Sequence, residues 1–378
     1  MALRDLSLRI TSLIAVFSLF DLLIMPRLNV GILLPSSMFL VLFVVPLNGV
    51  KKDKFYILLS IFLIISLSIF AGSVVNDIPS STVNILRGLQ FILVLFYSID
   101  FIEYNYIEYY LRIVLKLFFV WILYLLIIFF SDPFTYYTLS SSLYPDTIEY
   151  LDYNIATLRF GYAFSDPNSA AYIISAALFL YVVIERNYKL VTLGMLIGVV
   201  AILSTQSRGG LVCLFVVIIY LFNNLKKFKY KVGFIFITVV ILIISYIYFG
   251  DYILDFNEVA MSRLDLEDEV GGGRMSKYLY FLSNFNVLPV GMGYTLFKNG
   301  YEFRPHSDII RMNLSYGIFM IPLFFYFFFP KVKCEVYFFL LILVPLAVNT
   351  LVDDFRLFGV ALLIFSFLRA KYSINFRP

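Results

Sequence analysis

RIVLKLFFVWILYLLIIFF, residues 112–130, has its only charges, Arg112 and Lys116, near its start and is otherwise apolar or aromatic. A run of this kind is close to the roughly 20 residues that a helix needs to cross the hydrocarbon core of a bilayer. The pattern recurs along the chain. Of the 378 residues, 61% are hydrophobic and 14% charged, and the mean hydropathy is +0.91. A soluble globular chain is about half apolar and about a quarter charged, so this chain belongs in lipid. Its length would suit about two or three soluble domains; in a membrane it predicts one polytopic bundle, residues 1–378.

Working outward from 112–130, about twelve spans are expected: 8–25, 30–49, 55–75, 86–102, 112–130, 167–185, 189–204, 209–223, 231–249, 307–329, 335–351 and 355–369. The fold class is therefore an all-α integral membrane protein. The N-terminal LSLRITSLIAVFSLFDLLIM resembles a signal peptide, but no small-residue cleavage site follows it, so it is read as a retained span. Lysines and arginines set the orientation, because cytoplasmic connections are enriched in them. KKDK (51–54), ERNYK (185–189), NNLKKFKYK (223–231), PKVK (330–333) and the tail RAKYSINFRP fall on one set of connections. That set is expected to be cytoplasmic, together with both termini. The opposite side then carries two long connections, 131–166 and 250–305. Long loops are uncommon unless functional or disordered, and these are rich in aromatic and apolar residues, so they are expected to fold over the outer mouth of the bundle.

The chemistry-bearing residues gather on that outer side. Arg208 lies in STQSRGGLVCLF, between two short apolar runs. An arginine in such a setting is costly and usually paired or functional, and a helix N-terminus beside it suits a phosphate. Gly209 and Gly210 permit close approach of a ligand or of a neighbouring helix. A short turn with a snorkelling arginine fits the same residues. Arg274 follows three glycines in GGGRMSKYLYF (271–281), either in the first turn of a surface helix or in a solvated loop. SDPNSAAYI (165–173) reads as a helix start, with Ser165 or Asp166 as cap and Pro167 in the first turn. A Gly-x-Gly turn occurs in VLPVGMGYTLF (287–297) and is by itself only a tight bend. His306 is the only histidine and stands just before a span; it is the one side chain here with an ordinary pKa near neutrality. Arg304, Ser307 and Asp308 flank it and can set its charge and tautomer. Arg159, Arg87 and Arg311 are further basic residues, and Arg356 with Asp353 and Asp354 suits a structural ion cluster. Two cysteines, Cys213 and Cys334, form no metal pattern, and one histidine cannot build a zinc site. The net charge of +4 does not argue for nucleic acid.

In this order, FSDPNSAA (164–171), TQSRGG (205–210), GGR (272–274), the G-x-G-Y turn (291–294) and HSDII (306–310) resemble the O-antigen polymerase and ligase superfamily of bacterial inner membranes. The resemblance covers roughly residues 155–330. It implies a glycosyltransferase of the GT-C type that moves a glycan from undecaprenyl diphosphate to an acceptor hydroxyl, with no cofactor, metal or nucleotide sugar. It also implies that His306 activates the acceptor hydroxyl and that Arg208 and Arg274 hold the lipid diphosphate; Arg159, Arg304, Asp308 and Arg311 are supporting candidates from the reading of the residues themselves. Many ligases have asparagine after the histidine; here Ser307 and Asp308 follow. Expected partners are the lipid-linked donor and acceptor and membrane lipid, with a chain-length regulator as a further candidate. The favoured reading is a polysaccharide polymerase, and the alternative is a ligase delivering glycan to lipid A–core. A carrier or flippase fits less well, since no internal repeat is evident and the polar residues gather outside the spans.

Overall fold

The computed structural model describes residues 6, 9–10, 12–13, 16, 27–29, 33–35, 52–75, 104–143, 148–162, 166–224, 279, 291, 297–298, 301–302, 307–348 and 355–374. Among these, the architecture is a bundle of apolar helices: α1 (Lys52–Val75), α2 (Tyr104–Ser131), α3 (Pro133–Leu143), α4 (Ile148–Ala156), α5 (Pro167–Ile184), α6 (Tyr188–Ser204), α7 (Arg208–Asn224), α8 (Asp308–Tyr316), α9 (Met320–Phe328), α10 (Lys333–Val348) and α11 (Phe355–Ile374). Ile107–Ser131 and Pro167–Ile184 are long and apolar enough to cross a membrane, and Phe55–Ala71, Tyr188–Ser204, Arg208–Asn224 and Val360–Arg369 are shorter apolar stretches. These features are consistent with a membrane protein.

Helix α5 lies at the centre. Nearly all its residues are buried, and it packs on α2, α6, α7, α10 and α11. Ala170, Ala171, Ser175, Ala176 and Ala177 explain why so many helices reach it, since small side chains let backbones approach where burial against lipid gives no drive. Short connections make α5, α6 and α7 successively antiparallel. Helix α10 runs against α7, with Cys213 Sγ 3.4 Å from Leu341 O and Cys334 Sγ 3.5 Å from Tyr220 Oη.

The contacts define two ends. At one, Lys116 pairs with Glu185 (3.1 Å), Arg369 Nε with Glu335 (3.1 Å), and Lys371 Nζ donates to Val183 O (2.9 Å). This basic end gathers the chain around residues 185–189, 330–335 and 369–371. The other end holds the end of α2, the start of α5 and the α6–α7 turn. There Phe160 N–H donates to Ser204 O (2.8 Å), and the Tyr136 hydroxyl donates to Tyr162 O.

Several expectations change. The single span 307–329 is two helices. Ser307 occupies the N-cap position of α8, which ends at Gly317 (φ 87°, ψ 168°); a turn through Ile318 and Phe319 then leads into α9. Glycine supplies the positive φ that ends a helix. Each half contains 9 residues, about 13.5 Å of helix, too short to cross alone. The polar residues Asp308, Arg311, Asn313 and Ser315 explain why the first half does not continue as a lipid-facing span. At the start of the span expected at 30–49, Leu33–Pro35 (β2) is not helical but pairs antiparallel with Arg27–Asn29 (β1); residues 36–49 lie outside the described residues. A second two-stranded ladder joins Phe297–Lys298 (β3) to Tyr301–Glu302 (β4); both ladders are minimal, and the described chain is all-α in class as expected. The connection 131–166 is largely α3 and α4, not loop. Spans 86–102 and 231–249 lie outside the described residues.

Candidate functional site

Two of the motifs read from the sequence meet at one junction. Asp166, in extended backbone, caps α5: its carboxylate accepts from Asn168 N–H (3.0 Å), Ser169 N–H (3.3 Å) and the Ser169 hydroxyl (2.6 Å), with Pro167 opening the helix. Of the two caps considered, Asp166 is the one used. Ser207 plays the same part for α7. Its hydroxyl oxygen accepts from Gly210 N–H (3.2 Å), and its own N–H donates to Thr205 Oγ1 (3.2 Å). The Ser207 hydroxyl also donates to Asn168 Oδ1 (2.9 Å), which ties the start of α7 to the start of α5.

Packing reinforces this tie. A Cβ on Gly210 would lie 2.4 Å from Ala171 Cβ, and one on Gly209 would lie 2.1 Å from the Tyr172 hydroxyl. Of the two partners open for these glycines, ligand or helix, the structure supplies the helix.

Arg208 is the first residue of α7 and is exposed. The turn that presents it is held from a second side. Gln206, at φ 53°, directs its amide toward Thr157 O and Leu158 O, each at 3.5 Å. Leu158 (φ 51°) and Tyr162 (φ 54°) are also left-handed. Left-handed backbone is uncommon for non-glycine residues, and such strain tends to collect at functional sites. All three positions lie where the 157–162 segment docks on the 204–207 turn. Arg159 belongs to that segment, half-buried, with its N–H on Asn154 O (2.8 Å).

Helix α8 is amphipathic in the inverted sense. Asp308, Arg311 and Ser315 share one face and are 0%, 6% and 3% exposed, whereas Ile309 faces outward. A buried polar stripe in an apolar bundle is expensive and usually functional. Arg369 Nη2 donates to Phe329 O (3.0 Å), which fixes the end of α9 at the basic end, and α8, ahead of α9 in the chain, packs on α1, α9 and α10. Gly291, the first glycine of the Gly-x-Gly motif, packs on the last residues of α8. Gly291 N–H donates to Ser68 Oγ (3.3 Å), which also lies 3.1 Å from Tyr316 O. A Cβ on Gly291 would come within 2.2–2.3 Å of the Ser315 and Tyr316 backbone. His306 immediately precedes the N-cap Ser307. His306, Arg274 and Arg304 lie outside the described residues, as do Arg87, Asp353 and Asp354.

Some of this was missed in the sequence although a signal existed. Ser131-Asp132-Pro133 repeats the Ser-Asp-Pro of 165–167 and starts α3 in the same way. Asp132 accepts from the Thr135 hydroxyl (2.5 Å) and N–H (3.1 Å), and these bonds hold its carboxyl below the ordinary carboxylate value. Asn168 and Ser207 were quoted within motifs but not as a pair, because contact across 39 positions has no local signature. Ser68 gave no signal.

The geometry is that of an apolar helical bundle with ion pairs at one end and the Arg208 junction at the other. Residues 193–325 match the model of a protein family described as O-antigen ligase. That segment, about a third of the chain, runs from α6 through Arg208 and the α8 stripe into α9, and its likeness to the O-antigen ligase family is in line with the O-antigen polymerase and ligase superfamily resembled by the sequence motifs. No curated protein matches the chain.

Proposed function

We propose that the chain is a polysaccharide polymerase that transfers an undecaprenyl-diphosphate-linked glycan to a hydroxyl of another lipid-linked repeat unit, on the outer face of the inner membrane. The family match supports the broader glycosyltransferase role in polysaccharide or lipopolysaccharide assembly. The observation that carries the site assignment is the junction at Arg208: an exposed guanidinium at the start of a helix whose cap is bonded to the neighbouring helix. A guanidinium fork and a helix N-terminus both suit a diphosphate.

In this reading His306 takes the proton of the acceptor hydroxyl while its oxygen attacks the anomeric carbon. The bond from that carbon to the diphosphate oxygen breaks in the same displacement, inverting the centre. Negative charge develops on the leaving diphosphate, and Arg208 and Arg274 neutralise it there. Arg159, Arg304, Asp308 and Arg311 support the site. The twelve-span GT-C arrangement, with both termini cytoplasmic and residues 250–305 as the outer catalytic loop, belongs to the same proposal. A chain-length regulator is a candidate partner.

A second reading, a ligase that delivers the glycan to lipid A–core, is favoured by the description of the matched family. Deleting the gene and resolving the cell's glycans separates the two. Lipid A–core carrying one repeat unit, with no ladder, supports the polymerase; bare core with polymer accumulating on the carrier lipid overturns it in favour of the ligase. His306→Ala expressed in the deletion strain should fail to restore the glycan while inserting normally.

A further inference from the structure

We infer that Asn168 and Ser207 are positioning residues that hold Arg208 in place for a lipid diphosphate; the inference rests on the reading of Arg208 given above. Arg208 is exposed, and an exposed long side chain has many rotamers to lose on binding an anion. What the fold can fix is the backbone from which it projects. That backbone is held at the residue immediately before it.

Ser207 is 1% exposed, and its hydroxyl serves both as donor and as acceptor. It donates to Asn168 Oδ1 and accepts from Gly210 N–H, so the first turn of α7 and the first turn of α5 share one side chain. Asn168 is in turn anchored by Asp166, whose carboxylate accepts its N–H. On the other flank, Thr205 Oγ1 accepts Ser207 N–H and donates to Ile202 O (2.7 Å), which ties the turn to α6. Gln206, between them, sits in left-handed backbone against the 157–158 carbonyls.

The arrangement exceeds what helix capping needs. Capping α7 requires only the Ser207 oxygen as acceptor, and an Asn168 side chain is not needed for it. The additional bond to Asn168 fixes the rotation of the α7 start relative to α5, and so the direction in which Arg208 leaves the bundle. A group placed before binding adds affinity by lowering the ordering cost.

The test uses the full chain in nanodiscs of neutral lipid, with undecaprenyl diphosphate as the probe and native mass spectrometry as the binding readout. Arg208→Ala, Asn168→Ala, Ser207→Ala, Ser207→Thr and the double variant Asn168→Ala/Arg208→Ala are compared, each with its thermal unfolding midpoint. Arg208→Ala should weaken binding most. Asn168→Ala and Ser207→Ala should each weaken it about fivefold to tenfold, the size of one lost hydrogen bond, with Asn168→Ala leaving the midpoint near that of the parent. Ser207→Thr, which keeps the hydroxyl, should recover affinity, and the double variant should bind no more weakly than Arg208→Ala. If Arg208→Ala leaves binding unchanged, the diphosphate reading of Arg208 fails and the inference with it. If Arg208→Ala weakens binding but Asn168→Ala does not, or if the two losses add in the double variant, the positioning role alone is overturned.

Discussion

At the scale of single residues, Gly209 and Gly210 look interchangeable in the sequence and are not. A methyl on Gly209 meets the tip of Tyr172, the far end of a buried side chain rather than an atom fixed to a backbone. A methyl on Gly210 meets Ala171 Cβ at 2.4 Å, an atom that moves only with the α5 backbone. Overpacking of this kind costs about 1–3 kcal/mol. Gly210→Ala should therefore lower the unfolding midpoint of the purified protein clearly more than Gly209→Ala does. Ala171→Gly in the Gly210→Ala background should return much of the loss, because it removes the facing methyl. Equal midpoints for the two single variants would mean that α5 and α7 are not locked at this crossing. The double glycine itself was legible, and so was its meaning of close approach. Its partner was not, because the sequence does not reveal which helix lies opposite.

At the scale of elements, caps and apolar runs were legible and half-length helices were not. Helices α5, α6 and α7 begin and end within a residue or so of expectation, since Asp166-Pro167, Asn187 and the Thr205–Ser207 turn are local signals. The stretch 307–329 has nearly the length of a span, and length dominated its reading. Its polar positions, Asp308, Arg311 and Ser315, follow a helical period and mark a buried face rather than a lipid-facing one. Helix α8 then depends on what it packs against, and Gly291 is part of that support. Any side chain at 291 runs into the Ser315 and Tyr316 backbone, which has no rotamer to escape through. Gly291→Ala should displace the end of α8 and lower transfer at least about tenfold, given how steeply rate depends on placement, while the protein still inserts in the membrane. Transfer measured in isolated membranes at matched protein level checks this. Undiminished activity would mean that the packing of Gly291 on α8 does not matter for the chemistry.

At the scale of the whole molecule, the two ends are built by different physics. The end that carries Arg208 is held by hydrogen bonds, including those to the Asp166 carboxylate, by small-residue contacts and by left-handed turns rather than by ion pairs. The basic end is held by ion pairs, and one of them is deeply placed: Glu335 is fully buried and Arg369 is its pairing cation, which also bonds Phe329 O at the end of α9. Of the basic connections read from the sequence, the contacts bring together those around residues 185–189, 330–335 and 369–371, as expected where charge follows topology. The lysine and arginine pattern gave no pairing, since Glu335 and Arg369 are 34 positions apart. Removing one partner of a buried pair strands the other, at a cost of about 3–5 kcal/mol, whereas replacing both with apolar residues is often nearly neutral. Arg369→Met should therefore lower the unfolding midpoint strongly, and Glu335→Leu/Arg369→Met should recover most of it. Neither change touches the Arg208 end, so the folded fraction of each variant should transfer glycan at a normal rate per molecule. A loss of activity greater than the loss of folded protein would show that the basic end communicates with the Arg208 end, through α10 and α11, and is more than an anchor.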